Sequence, residues 1–354
     1  MAMSVADAGP VGLLSGGHAS EHEISLRTGA TMRAAMESSG CEVVEMVIGT
    51  DGVWNELARG LSQRSMRVDN ECSAAVWRGD ALEAVARWKQ RGVRCVALGL
   101  HGRGGEDGAI QGFLEVSGLA YTGCGVGASA VALDKILTKH LMRSADIPTP
   151  RWSVVQCAGG RTSAAVAEIV TTHGLPVVVK AVGLGSSVGV FVCKDASAVA
   201  DALHKLSTEA QVLVEDCVRG REFSVPVLGH GLNARALPAI SIVPKLGDFF
   251  DLASKYTPGG AEEVCPAQVD ATTAAALAAA SVALHRLIGA RGVTRTDIMQ
   301  HADGSIAVLE INTLPGMTAE SLVPRSAAVA GYSMAALMEL LIQDGLDARA
   351  ARCG

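Results

Sequence analysis

The chain has 354 residues, 49% apolar and 19% charged, which is long enough for two or three domains and too apolar for a disordered tail. Its 30 Lys and Arg against 36 Asp and Glu leave a net charge of −6, and no basic block is present to track a phosphate backbone, so nucleic acid is excluded as the expected partner. No run approaches ~18 uninterrupted apolar residues, no basic segment opens the chain, and the nine Cys lack CxxC spacing, so the expectations are no membrane span, a cytoplasmic location and reduced thiols.

In chain order, an apolar run at 10–14 predicts a buried strand, 23–38 a helix, 42–48 a strand, 80–91 a helix and 94–100 a strand. This alternation is that of βαβ units in a parallel sheet. Helices over 109–116 and 134–144 follow, then Ile147-Pro-Thr-Pro150, which reads as a hinge. Beyond it the pattern predicts a strand at 152–155, a helix near 163–172, strands at 177–180 and 190–193 around a glycine-rich loop, and a helix to 203. Mixed β structure runs from 211 to 244, an irregular stretch from 245 to 270 and an Ala-rich helix from 271 to 288. Two strands at 293–299 and 306–312 and an amphipathic closing helix at 333–342 complete the chain.

The last two strands carry the strongest chemical signal. An Asp-Gly turn of two residues at Asp303 and Gly304 sets Asp297 opposite Glu310 and Arg295 opposite Asn312, all on one face. Facing carboxylates repel across a ladder unless a hard divalent cation takes their oxygens as ligands, so a metal is expected there.

The segment from Lys180 to Gly189 fits neither G-x-x-x-x-G-K-[ST] nor G-x-G-x-x-G, and it leads into a strand rather than a helix. A hairpin flap fits it better: Gly183, Gly185 and Gly189 let backbone N–H groups approach phosphate oxygens, and Lys180 adds a cation. Ser20 and Glu23 have capping-box spacing, which leaves Glu21 without that duty at the end of the first strand, where open α/β sheets place ligands. A carboxylate there suits a substrate ammonium. Four glycines beside His101 argue for backbone held close to a ligand. Glu215 and Glu222, following a buried strand, suit the edge of an adenine and a ribose. Gly316 can offer its N–H beside Arg295 to an oxyanion, and the polar loop at 249–260 reads as a lid.

Taken in order, His-Ala-Ser-Glu-His-Glu-Ile-Ser, Leu-His-Gly-Arg-Gly-Gly-Glu-Asp-Gly, Tyr-Thr-Gly, Asp-Lys, Gly-Ser-Ser-Val-Gly, Arg-x-Asp, Glu-x-Asn and Pro-Gly-Met-Thr resemble the ATP-grasp superfamily and, within it, the D-alanine–D-alanine ligases. The resemblance spans nearly the whole chain. It implies an α/β and α+β fold: a Rossmann-like parallel-sheet domain over 1–123 for substrate, a central ATP-grasp subdomain with the flap over 124–216, and a C-terminal subdomain with metal site and lid over 217–354.

It also implies roles. ATP would lie against Lys135, Lys180, Gly185, Ser187, Glu215, Glu222, Phe249 and Lys255, with two Mg²⁺ or Mn²⁺ on Asp297, Glu310 and Asn312. Glu21, Ser186 and Tyr256 would hold the first D-alanine, His101 would belong to the catalytic set, and Arg295 with Gly316 would hold the oxyanion. Ser321 and Leu322 would contact the second D-alanine. In this family a Phe at the Tyr256 position accompanies depsipeptide formation, so Tyr implies an amine acceptor. Leu252 and Cys217 depart from the family's usual aromatic and larger apolar residue. A homodimer is the implied assembly. The alternatives are an ATP-grasp ligase with another acceptor, such as D-lactate or D-serine, and an ATP-binding regulator without turnover.

Overall fold

A computed structural model describes residues 9–18, 21–58, 75–156, 162–183, 189–245 and 259–353. The first sheet is built from β1 (Val11–Gly16), α1 (His22–Ser38), β2 (Val43–Ile48), β3 (Trp54–Leu57), β4 (Ala75–Gly79), α2 (Ala81–Gln90), β5 (Cys95–Leu98), α3 (Ala109–Val116) and β6 (Ala120–Tyr121), in strand order β4-β3-β2-β1-β5-β6. β1 is central and parallel to β2 and β5, and β5 is parallel to β6, as βαβ units require. β3 and β4 extend the sheet by antiparallel pairing, with β4 at its edge, and no sequence signal indicated either strand.

Local chemistry explains the helix starts. Asp80 and Glu83 form a complete capping box at α2. α1 starts differently from expectation: its N-cap is Glu21, with no side-chain capping bond, and not Ser20. Ser25 supplies order there instead, accepting a hydrogen bond from Gly16 N at 2.7 Å and donating to Gly99 O at 2.7 Å, which ties α1 to the ends of β1 and β5.

The second sheet comprises α4 (Val126–Leu133), α5 (Lys135–Ser144), β7 (Trp152–Gln156), α6 (Thr162–His173), β8 (Val177–Ala181), β9 (Val190–Cys193), α7 (Ala196–Lys205) and β10 (Gln211–Asp216), with antiparallel order β7-β10-β8-β9. Asp134 and Asp195 cap α5 and α7 through Leu137 N and Ala198 N. β8 and β9 form the predicted hairpin, Lys180 opposite Val190, and its tip lies outside the described residues.

The third sheet contains β11 (Arg221–Leu228), β12 (Arg235–Ala236), β13 (Ile240–Pro244), β14 (Ala261–Val264), α8 (Ala271–Leu287), β15 (Val293–Gln300) and β16 (Ile306–Asn312), in order β14-β13-β11-β15-β16 with β12 on β11. β14 falls inside the stretch expected to be irregular. α9 (Leu322–Val329) and α10 (Met334–Cys353) close the chain, and α10 continues well past the expected end. Its Leu337, Leu341 and Ile342 share one core with Val11, Leu13 and Met32 of the first sheet and α1. A Cβ on Gly345 would lie 2.4 Å from Tyr121 O, so α10 meets β6 at bare backbone. In α8, buried His285 donates from Nε2 to Gly229 O at 3.0 Å and accepts the Thr294 hydroxyl at Nδ1 at 2.8 Å. Among the described residues no single helix is long and apolar enough to cross a membrane.

The hairpin of β15 and β16 corrects the expected turn. His301 N donates to Ser305 O at 2.8 Å, which encloses three loop residues rather than two, with Gly304 left-handed at φ 88°. The ladder therefore runs Gln300–Ile306, Met299–Ala307 and Ile298–Val308. A bulge then inserts Leu309, after which Asp297 faces Glu310 and Arg295 faces Asn312 as expected.

Candidate active site

The bulge decides which side chains share a face. Val308 and Ile311 pack in the core with Ile298, while Leu309 packs with Met299 and Ala307 on the other side, so Glu310 and Asn312 are turned toward Asp297. Asp297 is buried and fully engaged. Arg295 Nε and Nη2 donate to it at 3.0 and 2.8 Å, Ser224 Oγ donates at 2.6 Å and Asn312 Nδ2 at 3.4 Å. Burial opposes the charge of Arg295, yet Asp297, and then Glu310 and Glu106, hold its guanidinium above the ordinary value. Glu310 Oε2 lies 3.5 Å from Lys135 Nζ. Among the described residues no three His, Cys, Asp or Glu form a ready metal cage. Two facing carboxylates and an amide oxygen nevertheless make a hard, oxygen-only donor set that fits a divalent cation sharing further ligands with phosphate.

A second charged group lies deeper. Glu215, buried at the end of β10, forms ion pairs with both Lys139 and Lys180. One carboxylate offsets one full positive charge, and the two ammonium groups repel across it. Burial pulls the Lys139 amine down to about 8, against the pull of Glu215 and with the like charge of Lys180 adding to it. Lys180 is held above its ordinary value despite burial, by Glu215 first and then Glu310 and Glu222. Lys180 is thus the cation on which Glu215, Glu222 and Glu310 all act. The next residue, Asp216, is braced by Arg151 at 2.9 and 3.2 Å and by His173 Nδ1 at 2.6 Å, and Ser153 Oγ meets His173 Nε2 at 2.8 Å.

The loop after β5 brings the first sheet to this region. His101 Nδ1 donates to Leu314 O at 3.0 Å and its Nε2 meets the Thr28 hydroxyl at 2.9 Å, so the ring pins the segment leading to Gly316 against α1. A Cβ on Gly102 would lie 2.7 Å from the Glu21 carboxylate, which explains a glycine beside that buried acid. A Cβ on Gly183, at the base of the flap, would lie 3.9 Å from Arg103 Nη2. A cleft lined by Glu106, Leu133, Lys135, Glu310, Asn312 and Thr313 runs between these elements. Ser321 Oγ accepts from Thr318 N at 3.1 Å and meets Thr318 Oγ1 at 2.8 Å, turning toward the Gly316 loop instead of capping α9, which starts at half-buried Leu322.

The structure therefore gathers Lys135, Lys180, Glu215, Glu222, Arg295, Asp297, Glu310 and Asn312 around connected charges. Gly185, Ser186, Ser187, Phe249, Lys255 and Tyr256 lie outside the described residues. Lys139, Ser224 and Glu106 were not among the expected site residues. The signal for Lys139 was present in its spacing, four residues after Lys135 and hence on the same face of α5.

Comparison with known proteins places the chain in a family. The family profile described as D-ala D-ala ligase N-terminus matches residues 10–124, and the one described as D-ala D-ala ligase C-terminus matches residues 141–343. A protein of Anaeromyxobacter dehalogenans named D-alanine--D-alanine ligase is 38% identical over 341 residues, 96% of this chain and 97% of its own length. One of the same name from Synechococcus sp. is 35% identical over 338 residues, 95% of this chain and 93% of its own. The solved structure of the D-alanine-D-alanine ligase from Coxiella burnetii aligns with a TM-score of 0.81 over 98% of this chain and 96% of its own, at 23% identity, so the two share a fold. With both family profiles and these relatives covering most of its length, the chain belongs to the D-alanine–D-alanine ligase family.

Proposed function

We propose that this protein joins two D-alanine molecules into D-alanyl-D-alanine in an ATP-dependent ligation that passes through D-alanyl phosphate and releases ADP and phosphate, for peptidoglycan precursor synthesis. The observation that carries this reading is the facing of Asp297 and Glu310 with Lys135 3.5 Å from Glu310. A carboxylate oxygen of the first D-alanine attacks the γ-phosphorus of ATP, the bond to the β–γ bridging oxygen breaks, and ADP leaves with the electron pair. The deprotonated amine of the second D-alanine then attacks the acyl carbon, collapse of the tetrahedral oxyanion breaks the C–O bond to phosphate, and the surplus proton on nitrogen passes to the departing phosphate.

In this reading Lys135 and Lys180 neutralise phosphate oxygens, Glu215 and Glu222 take adenine and ribose, and Glu21 holds the first ammonium. Arg295 and the Gly316 N–H hold the oxyanion, a role for which Arg295 must loosen its grip on Asp297. His101 keeps the Gly316 segment in place, and Ser321 with Leu322 faces the second substrate. Gly185, Ser186, Ser187, Phe249, Lys255 and Tyr256 complete the set from the flap and lid. Magnesium or manganese on Asp297, Glu310 and Asn312 would supply neutralisation of phosphoryl charge. Units 1–123, 124–216 and 217–354 divide these tasks among substrate binding, the flap, and the metal site with the lid. The reading carries a cytoplasmic location and a homodimeric assembly.

The test is an assay with ATP, Mg²⁺ and D-alanine alone, following phosphate release and the mass of the product. D-lactate and D-serine offered in parallel distinguish other acceptors. Absence of the dipeptide overturns the reading.

A further inference from the structure

The hinge segment at 147–150 is bonded to the metal-side hairpin at one residue, and that residue adjoins the bulge. Val308 N donates to Pro148 O at 2.8 Å, and the Thr149 hydroxyl donates to Val308 O at 2.8 Å. Val308 pairs with Ile298 in the last rung before Leu309 is squeezed out, and Glu310 follows two residues later. Thr149 Oγ1 in turn accepts a hydrogen bond from Lys139 Nζ, the same ammonium that pairs with Glu215. One face of α5 thereby reaches Glu310 through Lys135 and Glu215 through Lys139.

We propose that Thr149 is a positioning residue for the metal site: through Val308 it holds the bulged stretch of β16 that presents Glu310 and Asn312, and through Lys139 it ties that stretch to Glu215 on the nucleotide side. The proposal rests on the reading of Asp297, Glu310 and Asn312 as metal ligands. Bulges are held by the contacts around them, because the extra residue leaves ladder groups without their regular partners. Here the hinge supplies both a donor and an acceptor to the residue where regular pairing stops, so loss of the Thr149 hydroxyl frees the strand at the point that sets the direction of Glu310.

The test uses the full chain and compares Thr149→Val, Thr149→Ala and Thr149→Ser. Calorimetry measures ADP binding in a chelator and Mn²⁺ binding in the presence of ADP. Loss of the hydroxyl, with its bond to Val308 O and its bond from Lys139, predicts that Val and Ala weaken Mn²⁺ binding about five- to tenfold while metal-free ADP binding stays within about twofold, and that Ser restores Mn²⁺ affinity. If the Val variant does not fold, the Ala and Ser pair carries the comparison. Unchanged Mn²⁺ affinity, equal weakening with and without metal, or failure of Ser to restore it overturns the proposal. Wild-type protein that binds no Mn²⁺ beside ADP overturns the metal reading as well, whereas wild-type binding indifferent to position 149 overturns only the role of Thr149.

Discussion

Asp297 stands opposite Glu310 because Leu309 is bulged out of the ladder between that pair and the rung of Ile298 with Val308. Without the extra residue on β16, the three-residue turn would pair Asp297 with Leu309 and turn Glu310 into the core beside Val308. A carboxylate in that apolar cluster would be expelled or protonated. The bulge is therefore what converts a strand with its acids on the wrong side into a donor set.

Glu310→Gln removes one charge from that set and the partner of Lys135 while keeping size and shape. Turnover in the ligation assay is expected to fall by ~10²-fold or more, with an unchanged circular dichroism spectrum. Wild-type turnover in this variant would overturn the proposed role of Glu310 as a metal ligand.

Gly304 holds φ 88° with open space around its Cα, so only backbone strain opposes a side chain there. Gly304→Val is expected to lower unfolding stability by about 1–2 kcal/mol in urea titration, and Gly304→Asn by less. Equal stability of all three would mean the turn relaxes to another form.

Much of this site was legible in the residues, with one instructive compensation. An Asp-Gly turn of two residues gives the register found at Asp297, but the turn has three residues and slips the ladder by one, and the bulge at Leu309 slips it back. Turn and bulge are both settled by packing: Leu309 joins Met299 and Ala307, and the hinge binds Val308. β3, β4 and β14 carry little sequence signal because these short strands hold at most one β-branched residue each, whereas the equally short β9 holds two valines and a phenylalanine. Lys139 looked like an ordinary helix residue since its partners, Glu215 and Thr149, are brought to it only by the tertiary fold.

Lys139→Met leaves Glu215 buried with Lys180 as its remaining close cation. With Lys180 still compensating the carboxylate, the cost is loss of the hydrogen bonds Lys139 makes to Glu215 and Thr149, expected to lower stability by about 1–3 kcal/mol, read from urea unfolding. Because Glu215 is then drawn wholly to Lys180, the KM for ATP should rise more than kcat falls. A variant as stable as wild type would show that Lys180 alone satisfies Glu215.

His285 predicts an acid-sensitive window. Burial pulls its pKa from an ordinary 6.5 to about 4, so it is neutral in the fold. Above 6.5 neither state holds the proton; between 6.5 and about 4 the unfolded chain takes one up and the folded chain does not. Stability should fall by up to ~3 kcal/mol as pH drops through that window and level off below it. Urea midpoints measured from about pH 7 to about pH 4 should fall less steeply for His285→Gln than for wild type, and parallel curves would assign the acid sensitivity to other groups.

α10, the last helix of the chain, fills the core of the first sheet with Leu337, Leu341 and Ile342 and meets β6 at Gly345. Synthesis on the ribosome runs in the opposite sense to this assembly. A nascent chain that has released its first sheet still exposes the apolar surface around Val11, Leu13 and Met32 until the final helix emerges. The first sheet is thus made early and its interior is filled only once Leu337, Leu341 and Ile342 have been added, so a message truncated before Leu337 yields a chain whose first sheet lacks that packing.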